Sequence, residues 1–364
     1  NWEVCAVSDV WGKNIQFSIF GESHGPAIGG VLSSLPAGAV LDFAAIDREL
    51  ARRNHREFYS TSRAEPDSYE ILSGVYEGKT TGSALAFLIR NQDTRSKDYP
   101  DLNRFPRPGH ADYPAAVKYH GANDYRGGGH FSGRLTAPLV FAGAVAKQLL
   151  PGVRIYAHIQ SVGSVSAGSV LDMPNAENLL CAAQKSNFAV WNGSAAGQMR
   201  EEIQQAKSEC DSVGGVVECV IFGLTAGIGE PFFGSVESEL AHMLFSIPAV
   251  KGIEFGLGFD ISRLRGSQAN DGYRMEDGCV TAESNNNGGI TGGITNGMPV
   301  VFRVAVKPTP SIFKRQNTVD LAAQENTDMA LKGRHDACIV PRAVPVVEAA
   351  AALVLLDLMG GGMA

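Results

Sequence analysis

The chain of 364 residues has few cysteines and no closely spaced cysteine pair. Its six cysteines are scattered, none of them stands in a CxxC sequence, and no HExxH sequence occurs. The usual spacings of zinc ligands are therefore missing, and so is the dense cysteine pattern of a small disulfide-bonded secreted domain. We expect reduced thiols in a cytoplasmic protein, and no metal site.

Long uncharged hydrophobic runs are also missing. The most apolar stretch, from Ala343 to Met359, contains Pro345, Glu348 and Asp357. A membrane span needs about 20 predominantly apolar residues, so these interruptions argue against one. The first residues lack the basic and then apolar profile of a secretory signal. We therefore expect neither a membrane partner nor export.

A surplus of positive charge is absent as well. The chain has 31 lysines and arginines against 38 aspartates and glutamates, for a net charge of −7. General nucleic-acid binders usually carry a basic surplus, so this balance argues against one. We find no fixed-period repeat and no linker of biased composition, which favours a single domain.

The positive residues that do occur are mostly arginines, and they are concentrated in one part of the sequence. Two groups stand out: Arg48, Arg52, Arg53, Arg56 and Arg63, and then Arg90, Arg95, Lys97, Arg104, Arg107, Lys118, Arg126 and Arg134. A solvated basic surface is the ordinary explanation of such residues. However, guanidinium groups form paired hydrogen bonds to phosphate and carboxylate, and several of these arginines alternate with glycine rather than follow one helix face. The pattern favours a pocket for a small ligand with several negative charges.

Strand and helix patterns are mixed without regular βαβ spacing, which predicts an α+β fold. Alternating apolar residues predict strands at 15–19, 69–76, 83–90, 153–162, 215–222 and 299–306. Helical periodicity predicts helices after Asp42, from about 133 to 150, around 175–185 and 195–209, and over 236–245 and 342–358.

Gly78-Lys79-Thr80 is similar to part of a phosphate-binding P-loop, but Ser73 stands where that motif requires glycine. We interpret 77–82 as a hairpin turn.

Three histidines lie beside glycines near predicted turns, where functional side chains are often exposed. They are His24 in Gly-Glu-Ser-His-Gly, His110 in Arg-Pro-Gly-His-Ala-Asp and His335 in Gly-Arg-His-Asp. His24 and His110 would suit proton transfer near neutral pH. His158 and His242 lie within a predicted strand and a predicted helix, and we interpret them as structural.

Two glycine-rich segments offer bare backbone to a ligand. Gly127-Gly128-Gly129 precedes the helix predicted from about 133, so its amides could face an anion at the positive end of that helix. The segment 288–293 offers a second such surface, ahead of 307–311. This kind of backbone suits a flat ring system that carries a phosphate.

Taken in order, these motifs resemble one family, the chorismate synthases. The resemblance extends from about Ile15 to Met359. It rests on Phe20-Gly21-Glu22-Ser23-His24-Gly25, Glu65-Pro66-Asp67, Ser73-Gly74-Val75, Arg107-Pro108-Gly109-His110-Ala111-Asp112, Arg126-Gly127-Gly128-Gly129, Ser246-Ile247-Pro248-Ala249-Val250-Lys251-Gly252, Lys307-Pro308-Thr309-Pro310-Ser311 and Gly333-Arg334-His335-Asp336.

The resemblance implies a lyase with a βαβα sandwich fold, in which helices pack between antiparallel sheets. It implies a 1,4-elimination that removes phosphate and a ring proton from 5-enolpyruvylshikimate 3-phosphate to give chorismate. Reduced FMN would be required without being consumed, NADPH is a possible reductant, and the assembly would be a homotetramer. Residues 14–364 would form one catalytic domain, preceded by an extension, 1–13, of unassigned role.

The resemblance also implies roles for individual residues. His24 would protonate the departing phosphate, His110 would handle a proton on the N1 side of the flavin, and Asp336 would help to remove the substrate proton. The substrate-binding residues would be Arg52, Arg53, Arg107, Arg134 and Arg334. The flavin-binding residues would be Ser132, Pro248, Ala249, Gly292, Lys307, Pro308, Thr309, Pro310, Ser311 and Arg334.

The sequence departs from the family pattern at several places and leaves two other functions open. Asn54-His55 replaces the usual Pro-Gly, His130-Phe131 replaces the usual Arg-Ser, and Ala337 replaces a proline. A non-catalytic protein that binds a phosphorylated metabolite is the first alternative. RNA binding through the Arg-Gly segments is the second, and the overall charge disfavours it.

Overall fold

The computed structural model describes residues 9–60, 65–93, 102–331 and 336–362. The strands are β1 Val10–Trp11, β2 Gln16–Gly21, β3 Ala27–Ser33, β4 Tyr69–Ser73, β5 Val75–Tyr76, β6 Lys79–Thr80, β7 Leu85–Arg90, β8 Arg154–Val162, β9 Val165–Ser166, β10 Gly215–Phe222, β11 Val250–Phe255, β12 Tyr273–Glu276, β13 Cys279–Ala282, β14 Ile290–Thr291, β15 Ile294–Thr295, β16 Val300–Val306, β17 Gln316–Asp320 and β18 Glu325–Met329. The α-helices are α1 Phe43–Asn54, α2 Asp112–Lys118, α3 Thr136–Gln148, α4 Ala176–Ala183, α5 Gly193–Ser208, α6 Val236–Ser246, α7 Gly266–Ala269 and α8 Val340–Leu358.

Two five-stranded antiparallel sheets enclose a layer of helices. The first sheet has the order β1-β2-β3-β7-β4, and the second has the order β11-β16-β10-β8-β9. Helix α3 packs on strands of the first sheet, α8 packs on β8 and β10 of the second, and the two helices contact each other. Helix α4 covers the outer face of the second sheet beside β8. The layers therefore run sheet, helix, sheet, helix, which confirms the predicted βαβα sandwich and α+β class.

Strand β10 illustrates why the sequence of the second sheet is apolar on both faces. Val217, Cys219 and Ile221 belong to the core cluster that includes α3 and α8. Val220, on the opposite face, packs with Leu180 of α4 in a separate cluster. Because side chains alternate along a strand, a sheet covered on both faces needs a nearly continuous apolar run.

The central helices are apolar around most of their circumference because each is enclosed on several sides. A Cβ atom at Gly143 of α3 would overlap the backbone and side chain of Ala349 of α8, so glycine allows these two helices to approach closely. Among the described residues, no helix is both long enough and apolar enough to cross a lipid bilayer.

Two local predictions are confirmed by backbone geometry. Asp42 caps α1 by accepting a hydrogen bond from the amide of Ala45 over 3.1 Å. Strands β4 and β7 pair antiparallel, and the connection between them contains the short hairpin β5–β6. Lys79 and Thr80 form strand β6 of that hairpin, so this segment is not a P-loop.

Candidate active site

A cavity of about 780 Å³ opens where the N-terminal ends of α3 and α8 meet the C-terminal ends of α1 and α6. Small-molecule sites commonly have volumes of roughly 300–1,000 Å³. The apolar part of its wall includes Leu139, Met243, Ile247, Val250, Ile339 and Val346. The charged and titratable part includes His24, Arg53, Arg107, His110, Arg134, Lys307, Asp336 and Arg342. The predicted proton-handling residues thus share one cavity with several cations.

The triple-glycine loop packs directly against both predicted catalytic histidines. Gly127 has φ 59° and Gly128 has φ 90°, a region that favours glycine. A Cβ at Gly127 would overlap the ring of His24, and a Cβ at Gly128 would lie 3.2 Å from His110 Nε2. A 3₁₀ turn at Gly133–Leu135 separates this loop from α3. Its bare backbone therefore makes room for two imidazole rings.

His110 is held by Arg107, which precedes it in the same loop, and by Asp112, the first residue of α2. Arg107 donates from Nε to Asp112 Oδ2 over 2.7 Å and from Nη2 to Oδ1 over 2.8 Å. His110 Nδ1 lies 2.6 Å from Asp112 Oδ1. Because an ionised carboxylate only accepts hydrogen bonds, His110 carries its proton on Nδ1 and Nε2 faces Gly128. Arg107 Nη2 also lies 3.0 Å from His110 Nδ1, so Arg107 and Asp112 together hold the ring in one orientation.

Electrostatics within this group change the pKa values of both titratable members. Burial lowers the pKa of His110, the charges of Arg107 and Lys307 act in the same direction, and Asp112 opposes the change. Burial alone would raise the pKa of Asp112, but hydrogen bonds from Arg107 and His110 hold it well below its usual range. Asp112 is thus a stable negative partner for the imidazole.

Asp67 holds two cavity arginines in place. Arg53 donates from Nη1 to Asp67 Oδ2 over 2.7 Å, and Arg134 forms an ion pair with the other carboxylate oxygen. Arg134 also donates from Nε to Asn91 Oδ1 over 3.0 Å. Burial lowers the pKa of Arg53 to about 10. The negative charge of Asp67 opposes this change, and the positive charge of Arg342 adds to it. Both guanidinium groups are therefore oriented by the protein itself.

Asp336 precedes α8 and faces Arg342 in the first turn of that helix. Arg342 Nη1 lies 3.3 Å from each carboxylate oxygen of Asp336, and its Nε donates to the carbonyl of Arg53 over 3.2 Å. Thr309 Oγ1 donates to the Asp336 carbonyl over 2.8 Å. Arg342 therefore links the predicted proton acceptor to the arginine at the end of α1.

Most of the predicted flavin-binding residues line the same cavity. They are Ser132, Pro248, Ala249, Lys307, Thr309, Pro310 and Ser311. Lys307 donates to the carbonyl of Gly109, and Arg107 donates from Nη1 to Ser311 Oγ over 3.2 Å. The segment 307–311 is thereby tied to the loop that carries His110.

Three predicted binding residues do not line the cavity, and a fourth lies outside the described residues. Arg52 donates to Glu348 over 2.7 and 2.9 Å in a separate buried cluster, so its position does not support substrate binding. Gly292 lies in the turn between β14 and β15, and Pro308 packs beside Gly214. Arg334, like His335, lies outside the described residues.

The sequence predictions missed several residues that build the site. Asp67 and Asp112 lie in two of the motifs that carry the family resemblance, but the sequence did not show that they hold the cavity arginines and His110. Arg342 gave no signal beyond its place in the first turn of α8. His242, which we interpret as structural, also lines the cavity. His158 is buried 3.0 Å from Glu218 on the outer face of the second sheet, as expected for a structural residue.

Comparisons with known proteins identify the family of this chain. The family model described as chorismate synthase matches residues 15–359. The chorismate synthase of Thermococcus kodakarensis is 48% identical over 349 residues, covering 95% of this chain and 96% of that relative, and the one of Methanosarcina mazei is 47% identical over 354 residues, covering 96% of each. A crystal structure of chorismate synthase matches with a TM-score of 0.75 and 31% identity, over 96% of this chain and 92% of that chain. The chain therefore belongs to the chorismate synthase family, lyases of the shikimate pathway.

Proposed function

We propose that the protein binds 5-enolpyruvylshikimate 3-phosphate in this cavity and converts it to chorismate by 1,4-elimination of phosphate. Reduced FMN would be required as a cofactor that is not consumed. The observation that carries this proposal is the convergence of His24, His110, Asp336 and several guanidinium groups on one cavity. The substrate carries two carboxylates and a phosphate, and cations of this kind bind such groups strongly. Residues 14–364 would act as one catalytic domain.

His24 is proposed to donate a proton to the departing phosphate. Phosphate leaves more easily when its developing charge is neutralised, either by a proton or by nearby cations. The ring of His24 rests against Gly127, which fixes the approach of the imidazole to the cavity. Arg53, Arg107 and Arg134 are proposed to bind the substrate anions, since all three are held in place before a ligand arrives.

His110 is proposed to hold and exchange a proton on the flavin side of the cavity. Its Nδ1 proton is engaged by Asp112, so exchange takes place at Nε2. When Nε2 is protonated, the negative charge of Asp112 stabilises the imidazolium. Because burial disfavours that charged form, this stabilisation is what allows Nε2 both to take up and to release a proton.

Asp336 is proposed to take part in removing the ring proton of the substrate. A carboxylate at the edge of a cavity can accept a proton if it is ionised and correctly oriented. Arg342 holds the carboxylate in place through two contacts of 3.3 Å. Arg342 is thus proposed as a positioning residue for Asp336, and Arg334 is retained as a proposed ligand for substrate or flavin.

The residues present fit a flavin bearing a phosphate. Apolar side chains from α3, α6 and α8 suit a flat ring system, while Lys307, Thr309 and Ser311 provide polar groups on one connected segment. Ala249, beside this segment, has φ 75° and accepts a hydrogen bond from the amide of Lys307 over 2.9 Å, so the backbone here turns sharply. A bound, reduced flavin supplies electron density beside the substrate ring.

Three further features complete the proposal. We propose a homotetramer, as the family resemblance implies; the neighbouring exposed rings of Phe232 and Phe233, with centroids 6.5 Å apart, support an interface because contiguous exposed apolar groups often mark one. We also propose a cytoplasmic location and either NADPH or an external reductant as the source of electrons. Light scattering measures the assembly state, and comparison of turnover with and without NADPH identifies the reductant.

Anaerobic turnover tests the function itself. Purified protein is mixed with FMN, a chemical reductant and substrate, and phosphate release is followed over time. We expect flavin retention and phosphate release, and we expect phosphate release to stop when the reductant is omitted. Flavin retention with no phosphate release under any reducing condition would favour the non-catalytic binding protein.

A further inference from the structure

An asparagine that directly follows strand β7 joins the parts of the cavity wall that carry His24 and Arg134. The side chain of this residue, Asn91, is partly buried. Its Oδ1 accepts a hydrogen bond from Arg134 Nε over 3.0 Å. Its Nδ2 donates to the carbonyl of Glu22 over 3.0 Å and to that of Gly25 over 2.8 Å. The orientation of the amide is therefore fixed, because a guanidinium only donates hydrogen bonds and a carbonyl only accepts them.

The two carbonyls that Asn91 binds are the two ends of a turn that contains His24. The amide of Gly25 donates to the carbonyl of Glu22 over 3.1 Å, which closes a four-residue turn with His24 at its third position. The backbone amide of Asn91 also donates to the carbonyl of Pro26, directly after this turn, over 3.1 Å. Asn91 thus holds the turn of His24 through three hydrogen bonds.

We propose that Asn91 is a positioning residue that fixes the turn of His24 relative to the guanidinium of Arg134. The ion pair with Asp67 holds the same guanidinium through Nη1, so Asn91 is attached to a fixed group. A substrate anion bound by Arg134 then lies at a defined position relative to the imidazole of His24, and a small displacement of a catalytic group can cost much of the rate. This inference rests on the proposed function, because it takes His24 as the proton donor to phosphate and Arg134 as a substrate ligand.

The first test is Asn91→Ala, which removes the three side-chain hydrogen bonds. We expect kcat to fall by about 10- to 100-fold as the imidazole moves, with little change in substrate affinity because Arg134 keeps its ion pair with Asp67. Anaerobic kinetics measure kcat, and titration calorimetry with FMN and no reductant measures affinity. Asn286→Ala is the matched control, with kcat expected to stay unchanged. The Nδ2 of Asn286 also donates to two backbone carbonyls, each over 3.2 Å, but Asn286 does not line the cavity.

A second variant, Asn91→Asp, separates the two sides of the link. It keeps an acceptor for Arg134 Nε but places an oxygen against the carbonyls of Glu22 and Gly25. We therefore expect a loss of kcat at least as large as that of Asn91→Ala. Wild-type kcat in either variant would overturn the proposal. Failure of both variants to fold, measured by circular dichroism, would also overturn it, because Asn91 would then be a structural residue.

A double-mutant cycle tests whether Asn91 acts through His24. In a His24→Ala background, Asn91→Ala is expected to lower kcat by less than about twofold, because residues that act as one unit have non-additive effects. The full loss of kcat in that background would overturn the proposal, since Asn91 would then act without His24.

A measurement without turnover separates this proposal from the proposed function. Modification of His24 by diethyl pyrocarbonate is followed by peptide mass spectrometry, relative to modification of the exposed His120. We expect His24 to react faster in Asn91→Ala than in the wild type, because its turn is released, and an equal rate would overturn the proposal. Absence of turnover in the wild type would count against the proposed function, while the modification rate would still decide whether Asn91 holds His24.

Discussion

Arg52 and Arg53 are neighbours in sequence but belong to two different ion clusters. Arg52, Lys147, Glu49 and Glu348 form what we call the closed cluster, which lies between α1, α3 and α8 away from the cavity. Arg53 belongs to what we call the open cluster, which lines or adjoins the cavity and contains Arg53, Arg134, Arg342, Asp67 and Asp336. One position along a helix rotates a side chain by about 100°, which is enough to separate the two arginines.

The closed cluster has the properties of a structural group. Glu348 is fully buried, and its oxygens accept hydrogen bonds from Arg52, Lys147, Gln184 and the amide of Ala157. These charges hold the pKa of Glu348 well below its usual range in spite of burial. In the open cluster, Arg342 and Asp336 are partly exposed beside the cavity, whereas Arg53, Arg134 and Asp67 are almost fully buried. The comparison teaches that an arginine pair in sequence does not identify which member lines the cavity.

The largest expected difference between the clusters concerns a carboxylate from each. Asp336→Asn removes a proposed proton acceptor, so we expect kcat to fall by about 10²- to 10⁴-fold with little change in substrate affinity. Glu348→Gln leaves Arg52 and Lys147 to share Glu49 as their one remaining carboxylate in this cluster, so we expect the free energy of unfolding to fall by about 3–5 kcal/mol. Anaerobic kinetics and urea unfolding measure the two effects. Normal turnover by Asp336→Asn would show that the proton-abstraction role is wrong.

A glycine pair sharpens the same comparison at the histidines. Gly127→Ala places a methyl group into the ring of His24, and we expect kcat to fall by about 10- to 100-fold as the imidazole moves. Gly121→Ala is the control, since Gly121 also has positive φ, at 77°, but has open space around its Cβ position. Equal losses of activity in both variants would mean that backbone strain, rather than displacement of His24, is responsible.

Substitution of the two adjacent arginines is expected to have a smaller effect. Arg53→Lys keeps the charge but loses the paired geometry of a guanidinium, so we expect KM to rise about tenfold. Arg52→Lys is expected to change KM little and to reduce the free energy of unfolding instead. Steady-state kinetics of both variants measure the two KM values, and urea unfolding measures the two stabilities. The distinction between the clusters would fail if Arg52→Lys had the larger effect on KM.

The smallest expected effect is a displacement of the pH profile. Asp112 raises the pKa of His110 against the effect of burial, so Asp112→Asn lowers this pKa further. The limb of the kcat profile that requires protonated His110 should therefore move to lower pH. At neutral pH the loss in kcat should stay below about tenfold, because the acid itself remains. Asp260→Asn, which removes an exposed carboxylate paired with Arg263 on another surface, controls for the loss of one charge. Movement of this limb of the kcat profile to higher pH would contradict the assignment.

The sequence was most informative where structure depends on neighbouring residues. Apolar alternation predicted β8 and β10, and the Asp42 cap predicted the start of α1, because both signals are local. Contacts between distant segments left no comparable signal. The close approach of Gly127 to His24, the ion pair between Arg342 and Asp336, and the enclosure of Arg52 by Glu348 all depend on how separate elements pack. The assignment of Arg52 to the substrate therefore did not agree with its position, whereas the choice of His24, His110 and Asp336 led to a single cavity.

A crystal structure of the protein with FMN and substrate tests the central claim most directly. We expect the phosphate of the substrate to lie within hydrogen-bond distance of His24 and of a guanidinium from the cavity wall, while Asp336 faces the substrate ring and Arg52 remains bound to Glu348. Substrate bound outside this cavity, or bound inside it with its phosphate remote from His24, would contradict the account.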